Sequence, residues 1–260
     1  MRLVVISFLL IVLALCVVSF TTGLSHLGTP PDPNDPKQAG MLTPEVLRHY
    51  ISGASDNLLV RLRKHEITDA QFNDEMAKAT RKLLDEVRIE RIPPAKAWEY
   101  GEIFITARRW TDAKNALLIA VKAAKNEDRR VNDNVRLARV EAELGDITGA
   151  IKTTRSTFNA PDNACAPILP ATLLEIVPAA RGKGHDLELA PLLEDAIKCE
   201  ARTIVNASTE PGRDFLFARP VHIRNAWELV VKLYEAGGKP DEAKAAQDRS
   251  LKMLSEQEKA

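Results

Sequence analysis

From Thr43 onward the chain reads as a succession of helix starts and stops, with almost none of the two-residue alternation of a strand. Thr43-Pro44-Glu45 sets a capping hydroxyl, a proline at the first helical position and an acid facing the helix dipole in a row. Val46, Tyr50 and, past a Ser52-Gly53 break, Leu58, Leu59 and Leu62 supply an apolar stripe. Thr68-Asp69-Ala70-Gln71 is a capping box, with Thr at the cap and Gln three residues on. Phe72, Met76, Ala79, Leu83, Leu84 and Val87 then recur mostly at helical steps. Residues 43–90 are therefore expected to form a helical hairpin with a short connection at Glu66-Ile67, and the fold class is all-α.

After Ile92-Pro93-Pro94 the pattern begins to repeat. One unit carries Trp98, Gly101, Phe104 and Ile105, then Ala113, Leu117, Ala120 and Val121. The next carries Ala138, Gly145 and Ala150, and the last carries Trp227, Tyr234, Gly238 and Ala243. Ala113 and Ala150 are 37 residues apart (150 − 113), within the range of helical repeats. In this spacing the chain resembles the tetratricopeptide repeat (TPR) family over roughly residues 95–254. Arg108 stands where the family has glycine, and residues 165–205 match only as a degenerate unit. The resemblance implies antiparallel helical hairpins stacked as a TPR-like α-solenoid over residues 91–255, followed by a polar tail, 256–260. It also implies a peptide groove lined by first helices, which places Trp98, Glu102, Asn132, Arg139, Asn225 and Lys232 on or near that groove. Trp98 and Trp227 are equally read as hairpin packing.

Within the irregular unit, residues 159–170 read as a proline-punctuated loop before a helix over 171–181 that Pro178 kinks. A returning helix is expected over 192–205, and residues 206–220 read as a loop leading to the final helix pair. Folding this hairpin about Gly184 brings Cys165 opposite a position near residue 203, about one helical turn beyond Cys199. A Cys165–Cys199 disulfide and a pair of buried thiols both fit that placement.

The compartment is read from the amino terminus. Met1-Arg2 precedes the uncharged run Leu3 to Phe20, and Thr21-Thr22-Gly23 follows. A basic start, an apolar run and small residues make residues 1–23 a secretory signal peptide, cleaved after Gly23, or a retained signal anchor. Cys16 follows Leu13-Ala14-Leu15, too bulky for a lipidation box. Residues 24–42 hold four prolines and read as an extended linker. The chain is thus expected to be exported: periplasmic, secreted, or held in the membrane by residues 3–20. In an exported chain an oxidising compartment favours the disulfide.

Little in the sequence points to chemistry. Lys+Arg and Asp+Glu number 36 each, which argues against nucleic acid, and 5 % aromatics are too few for a stacking platform. The histidines, His26, His49, His65, His185 and His222, form no HExxH and stand beside no matched nucleophile. Gly182-Lys183-Gly184 lacks the strand and length of a phosphate loop. Arg108-Arg109 and Arg129-Arg130 read as helix-end cations complementing the dipole. No metal or cofactor is expected. The reading is a non-catalytic interaction scaffold of the cell envelope that binds another protein or a peptide. The alternatives are a self-assembling structural protein held by its N-terminal helix and, behind it, an all-helical hydrolase.

Overall fold

The computed structural model describes residues 41–257; the expected signal or anchor segment, nearly all of the linker and the end of the tail lie outside them. All regular structure among the described residues is helical. The helices are α1 (Pro44–Arg63), α2 (Asp69–Leu83), α3 (Ala97–Thr106), α4 (Trp110–Ala123), α5 (Glu127–Glu143) and α6 (Ile147–Arg155). An interrupted helix follows, Ile168–Ala171, a π-helical turn Thr172–Ile176 and Val177–Ala180, together α7. Then come α8 (Asp186–Arg202), α9 (Glu210–Ala236) and α10 (Pro240–Gln257). No described helix is long and apolar enough to cross a membrane.

Successive helices pair as α1/α2, α3/α4, α5/α6, α7/α8 and α9/α10. The first helices of the first four hairpins also pack on one another, α1 on α3, α3 on α5 and α5 on α7, with α4 on α5 and α8 on α9 closing the stack. The fold is a TPR-like array of antiparallel helical hairpins.

The repeat is visible in its hydrogen bonds. At four hairpin corners a residue with positive φ, His65, Arg108, Gly145 or Gly238, donates its N–H three residues back. The next residue donates five back, as in Arg109 to Phe104 and Asp146 to Glu141. This is the Schellman closure, which occupies carbonyls that a helix end leaves open. Arg108 therefore takes the glycine's conformation without being glycine, and pairs with Asp74 at 2.6 Å. The small residues of the repeat are packing residues. Ala113, Ala138 and Ala150 are fully buried, and a Cβ on Gly101 would meet the Leu117 side chain at 2.9 Å.

The core falls into three clusters among the described residues. Leu47, Leu84, Phe104 and Leu117 centre one cluster among the first two hairpins and α5, and a smaller cluster joins Leu58, Ile67 and Met76. The larger cluster runs from Val131 to Ala246 and takes in Ile168, Leu169, Ile176, Leu189, Leu192, Leu193 and Ile197. The irregular third unit is thus the main source of burial in the second half.

Four local expectations need correction. Ser52-Gly53 does not break α1; with the helix continuous, the buried stripe is Leu47 and Leu58 flanked by Ile51, Ala54 and Leu62, and Tyr50 is 55 % exposed. The helix expected from residue 171 begins at Ile168, and its π-turn ends just before Pro178, where a missing N–H is easily absorbed. The returning helix starts at Asp186, with Pro191 in its second turn rather than before its start. Finally, residues 210–220 are helix, not loop. Thr209 caps α9 by accepting from the Gly212 N–H at 3.2 Å, and Pro211 sits in the first turn, where no donor is needed.

Candidate functional site

The first helices of the array carry a chain of alternating charges. Lys96, just ahead of α3, reaches Glu45 of α1 at 2.5 Å and Glu99 of α3 at 2.9 Å. Arg48 of α1 pairs with Glu99 at 2.5 Å and Glu102 at 3.5 Å. Glu102 continues to Arg136 of α5 at 2.6 Å, and Arg136 approaches Asp133, 3.9 Å away. Asp133, buried, also holds Arg129 through both its oxygens. A further pair, Arg139 with Glu175 at 3.3 Å, links α5 to α7. Burial, the largest single effect, raises Glu45 and lowers Lys96, but their mutual hydrogen bond together with further hydrogen bonds and opposite charges overcomes it, so Glu45 lies below and Lys96 above its ordinary value. Tyr100, donating to the Leu42 carbonyl at 2.9 Å, is pushed up by burial and then by the charges of Glu45 and Glu99.

At the end of this chain stands Trp98, half-buried at the start of α3. The Arg129 guanidinium lies 3.8 Å from its ring centre and that of Arg48 5.2 Å. The indole and Arg129 form one wall of a cleft of about 310 Å³, whose other residues include Ala95, Ala120, Ala123, Ala124 and, at its edge, Lys125. The cleft joins the start of α3, the end of α4 and the start of α5. Alanines at the end of α4 leave the room, and Asp133 fixes the cation that covers the ring.

The structure therefore brings together some of the expected groove residues and separates others. Trp98 borders the cleft, while Glu102 and Arg139 are tied into cross-helix ion pairs. Asn132 donates to the Asp128 carbonyl of its own helix at 2.8 Å. Asn225 and Lys232 are exposed on α9, and Trp227 is buried with its indole N–H aimed at Met253 sulfur, 3.5 Å away. Arg48, Asp133 and Arg136 carry the arrangement without having been singled out. Arg129 and Arg130 lie at the start of α5, the wrong end for dipole complementation; Arg129 serves Asp133 and Trp98, and Arg130 serves Glu127.

Cys165 and Cys199 meet as free thiols between the 156–167 loop and α8. Cys165 sulfur lies 3.4 Å from the Pro161 carbonyl, Cys199 sulfur 3.8 Å from that of Phe158, and Arg202 donates to the Phe158 and Ala160 carbonyls at 2.6 and 3.0 Å. Burial, then the adjacent Cys199, pushes the Cys165 thiol up to about 11, so it stays protonated and unreactive at neutral pH.

A second titratable cluster lies between α8 and α9. Glu200 is fully buried, and neither carboxyl oxygen has a hydrogen-bond partner. His222 Nδ1 is 3.8 Å away, a contact rather than a hydrogen bond, and Arg219 instead donates to the Thr203 carbonyl at 2.6 Å. Burial raises Glu200 above its ordinary value, against the opposing pull of His222 and then Arg219. Among the described residues no group of three His, Cys, Asp or Glu stands at metal-ligand spacing.

No protein-family model and no curated protein matches the chain. Among solved structures it is similar to the TPR-like repeats of a kinesin light chain from Podosopora anserina, at 16 % identity and a TM-score of 0.41, over 85 % of this chain and 100 % of that one. It is also similar to BtubC (BKLC) from P. vanneervenii, at 15 % identity and a TM-score of 0.38, over 82 % of this chain and 92 % of that one.

Proposed function

We propose that this chain is a non-catalytic helical-repeat scaffold of the cell envelope, which holds a segment of another protein in the cleft beside Trp98. The observation that carries the reading is the cleft itself. A wall of the Trp98 indole and the Asp133-bound Arg129, four alanines and the cation of Lys125 suit a peptide that buries one apolar side chain. A backbone carbonyl of the peptide would then face Lys125. The paired charges beyond Trp98 leave that face electrically balanced, so the cleft, not a clamp of free polar residues, is the place for selectivity. Export rests on the uncharged run Leu3 to Phe20, cleaved after Gly23 or kept as an anchor.

A photo-crosslinking residue at Ala124 of the full chain, activated in native envelopes, tests the binding reading. Capture of a distinct protein is expected, falling roughly tenfold or more in Trp98→Ala, the cost of losing a central aromatic anchor. Recovery of this chain alone would sink it. Export carries its own check. Oxidation in an exporting compartment would join Cys165 and Cys199, which stand as free thiols in the structure: unreduced mature protein should then resist alkylation after unfolding, whereas two alkylated thiols would refute the bond.

A further inference from the structure

The first half of α9 packs Arg219 and His222 towards α8 but leaves its opposite face uncovered. Between Gly212 and Ile223 it contributes no buried side chain, and Phe217 is 87 % exposed and Val221 53 %. So large an exposed apolar set on one side of a helix is unusual for a surface that stays in water.

The charges on this helix have an order. Glu210 precedes Phe217 by seven residues (217 − 210) and Arg224 follows it by seven (224 − 217), and all three are exposed. Seven residues make nearly two turns, so acid, phenyl ring and guanidinium share one stripe. Neither Glu210 nor Arg224 has an ion-pair partner among the described residues, where nearly every charge of the α1–α3–α5 face has one. A stripe reading negative, apolar, positive is complementary to itself when reversed. We infer that this stripe is a two-fold contact with a second copy of the chain. The two α9 helices lie antiparallel, Phe217 packs on Phe217, and Glu210 of each meets Arg224 of the other. Val221 falls opposite Arg213, whose aliphatic stem can cover it. Residues 210–224 form a short segment, and their contact is smaller than the roughly 800 Å² per partner of a standard stable interface. The dimer is accordingly weak, with a dissociation constant in the micromolar range, and a two-fold contact closes without propagating into a fibre.

Sedimentation velocity of the full chain in mild detergent, over a concentration series, reads the monomer–dimer equilibrium. Phe217→Asp should leave monomer throughout. Glu210→Arg and Arg224→Glu should each weaken the dimer roughly tenfold, since symmetry breaks two ion pairs at once. The double variant Glu210→Arg/Arg224→Glu should recover the parent's dimer. That recovery distinguishes this contact from association through residues 3–20, which the swap does not touch, and from misfolding, which a second substitution on the surface would not repair. A parent that stays monomeric, single variants that sediment like the parent, or a double variant that fails to recover would each overturn the contact. So would loss, in Phe217→Asp, of binding to anionic lipid vesicles by a parent that is monomeric, which would assign the face to a membrane surface.

Discussion

The two ends of the array handle buried charge in opposite ways. Around α1, α3 and α5, Glu99 and Asp133 are buried but each carboxylate meets at least two cations. Between α8 and α9, Glu200 is buried with a histidine 3.8 Å away, an arginine engaged elsewhere and no hydrogen bond of its own. The first arrangement gives each buried carboxylate cationic partners and ties helices from different hairpins together. The second favours the protonated acid, and stability there comes from the apolar side chains around it. A buried charge contributes to a fold only through its partners, so the same residue type supports one joint and burdens the other.

Removing the central carboxylate of the first region should have the largest effect. Asp133→Ala leaves Arg129 and Arg136 half-buried and facing each other, and it loosens the cation over Trp98. A loss of about 2–3 kcal/mol is expected in urea unfolding. If Asp133→Ala is neutral, the charge chain is surface decoration and the contrast between the two regions fails.

The second region should respond in the other direction. Glu200 holds its proton more tightly folded than unfolded, so its contribution to stability falls as pH rises from 4.5 through the raised folded value, and then levels off. Glu200→Gln supplies a neutral side chain of the same shape and should stabilise the protein by about 1–2 kcal/mol above that window. The advantage should vanish at pH 4.5 and below. Glu45 behaves oppositely: held below 4.5 by Lys96 despite its burial, it contributes stability above pH 4.5 that is lost as pH falls through its folded value. Thermal unfolding of the parent, Glu200→Gln and Glu45→Gln between pH 3 and 8 separates the two. A destabilised Glu200→Gln at neutral pH would show that the carboxylate is ionised and paired after all.

How far this was readable beforehand follows the range of the interactions. Helix starts at Thr43 and Thr68 were legible because capping is decided within three residues, and the hydrogen bonds stand where the sequence puts them. Ala138 and Ala150 were legible because close packing in a repeat needs small residues at fixed spacing, and Gly145 because the corner between them needs a positive φ. The first half of α9 was not. Pro211, Gly212 and Pro220 read as loop residues, yet Pro211 occupies a first turn and Gly212 is needed where the Asn206 carbonyl would stand 2.0 Å from a Cβ. Family positions led to Trp98, Glu102 and Arg139, but not to what they do. The partners that tie up Glu102 and Arg139 lie on other helices, Arg48 being 54 residues from Glu102 in sequence. Only the stacking of first helices assembles them, and no local pattern announces it.

The smallest expected effect concerns the corners that close the hairpins, where the ends differ again. The first two close on non-glycine residues at positive φ, His65 (57°) and Arg108 (53°), whereas the corners before α6 and α10 use Gly145 and Gly238. A side chain in that conformation is strained by about 1 kcal/mol, and glycine relieves it at the cost of a freer unfolded chain. His65→Gly should therefore stabilise by about 0.5 kcal/mol. Arg108→Gly gains the same relief but loses the exposed pair with Asp74, worth about 0.2–1 kcal/mol. The net change is expected near zero, and the difference between the two variants in urea unfolding measures that ion pair. A gain in Arg108→Gly equal to that in His65→Gly would mean that the Asp74 pair contributes nothing. The ion pairs that matter at this end would then be those buried between α1, α3 and α5.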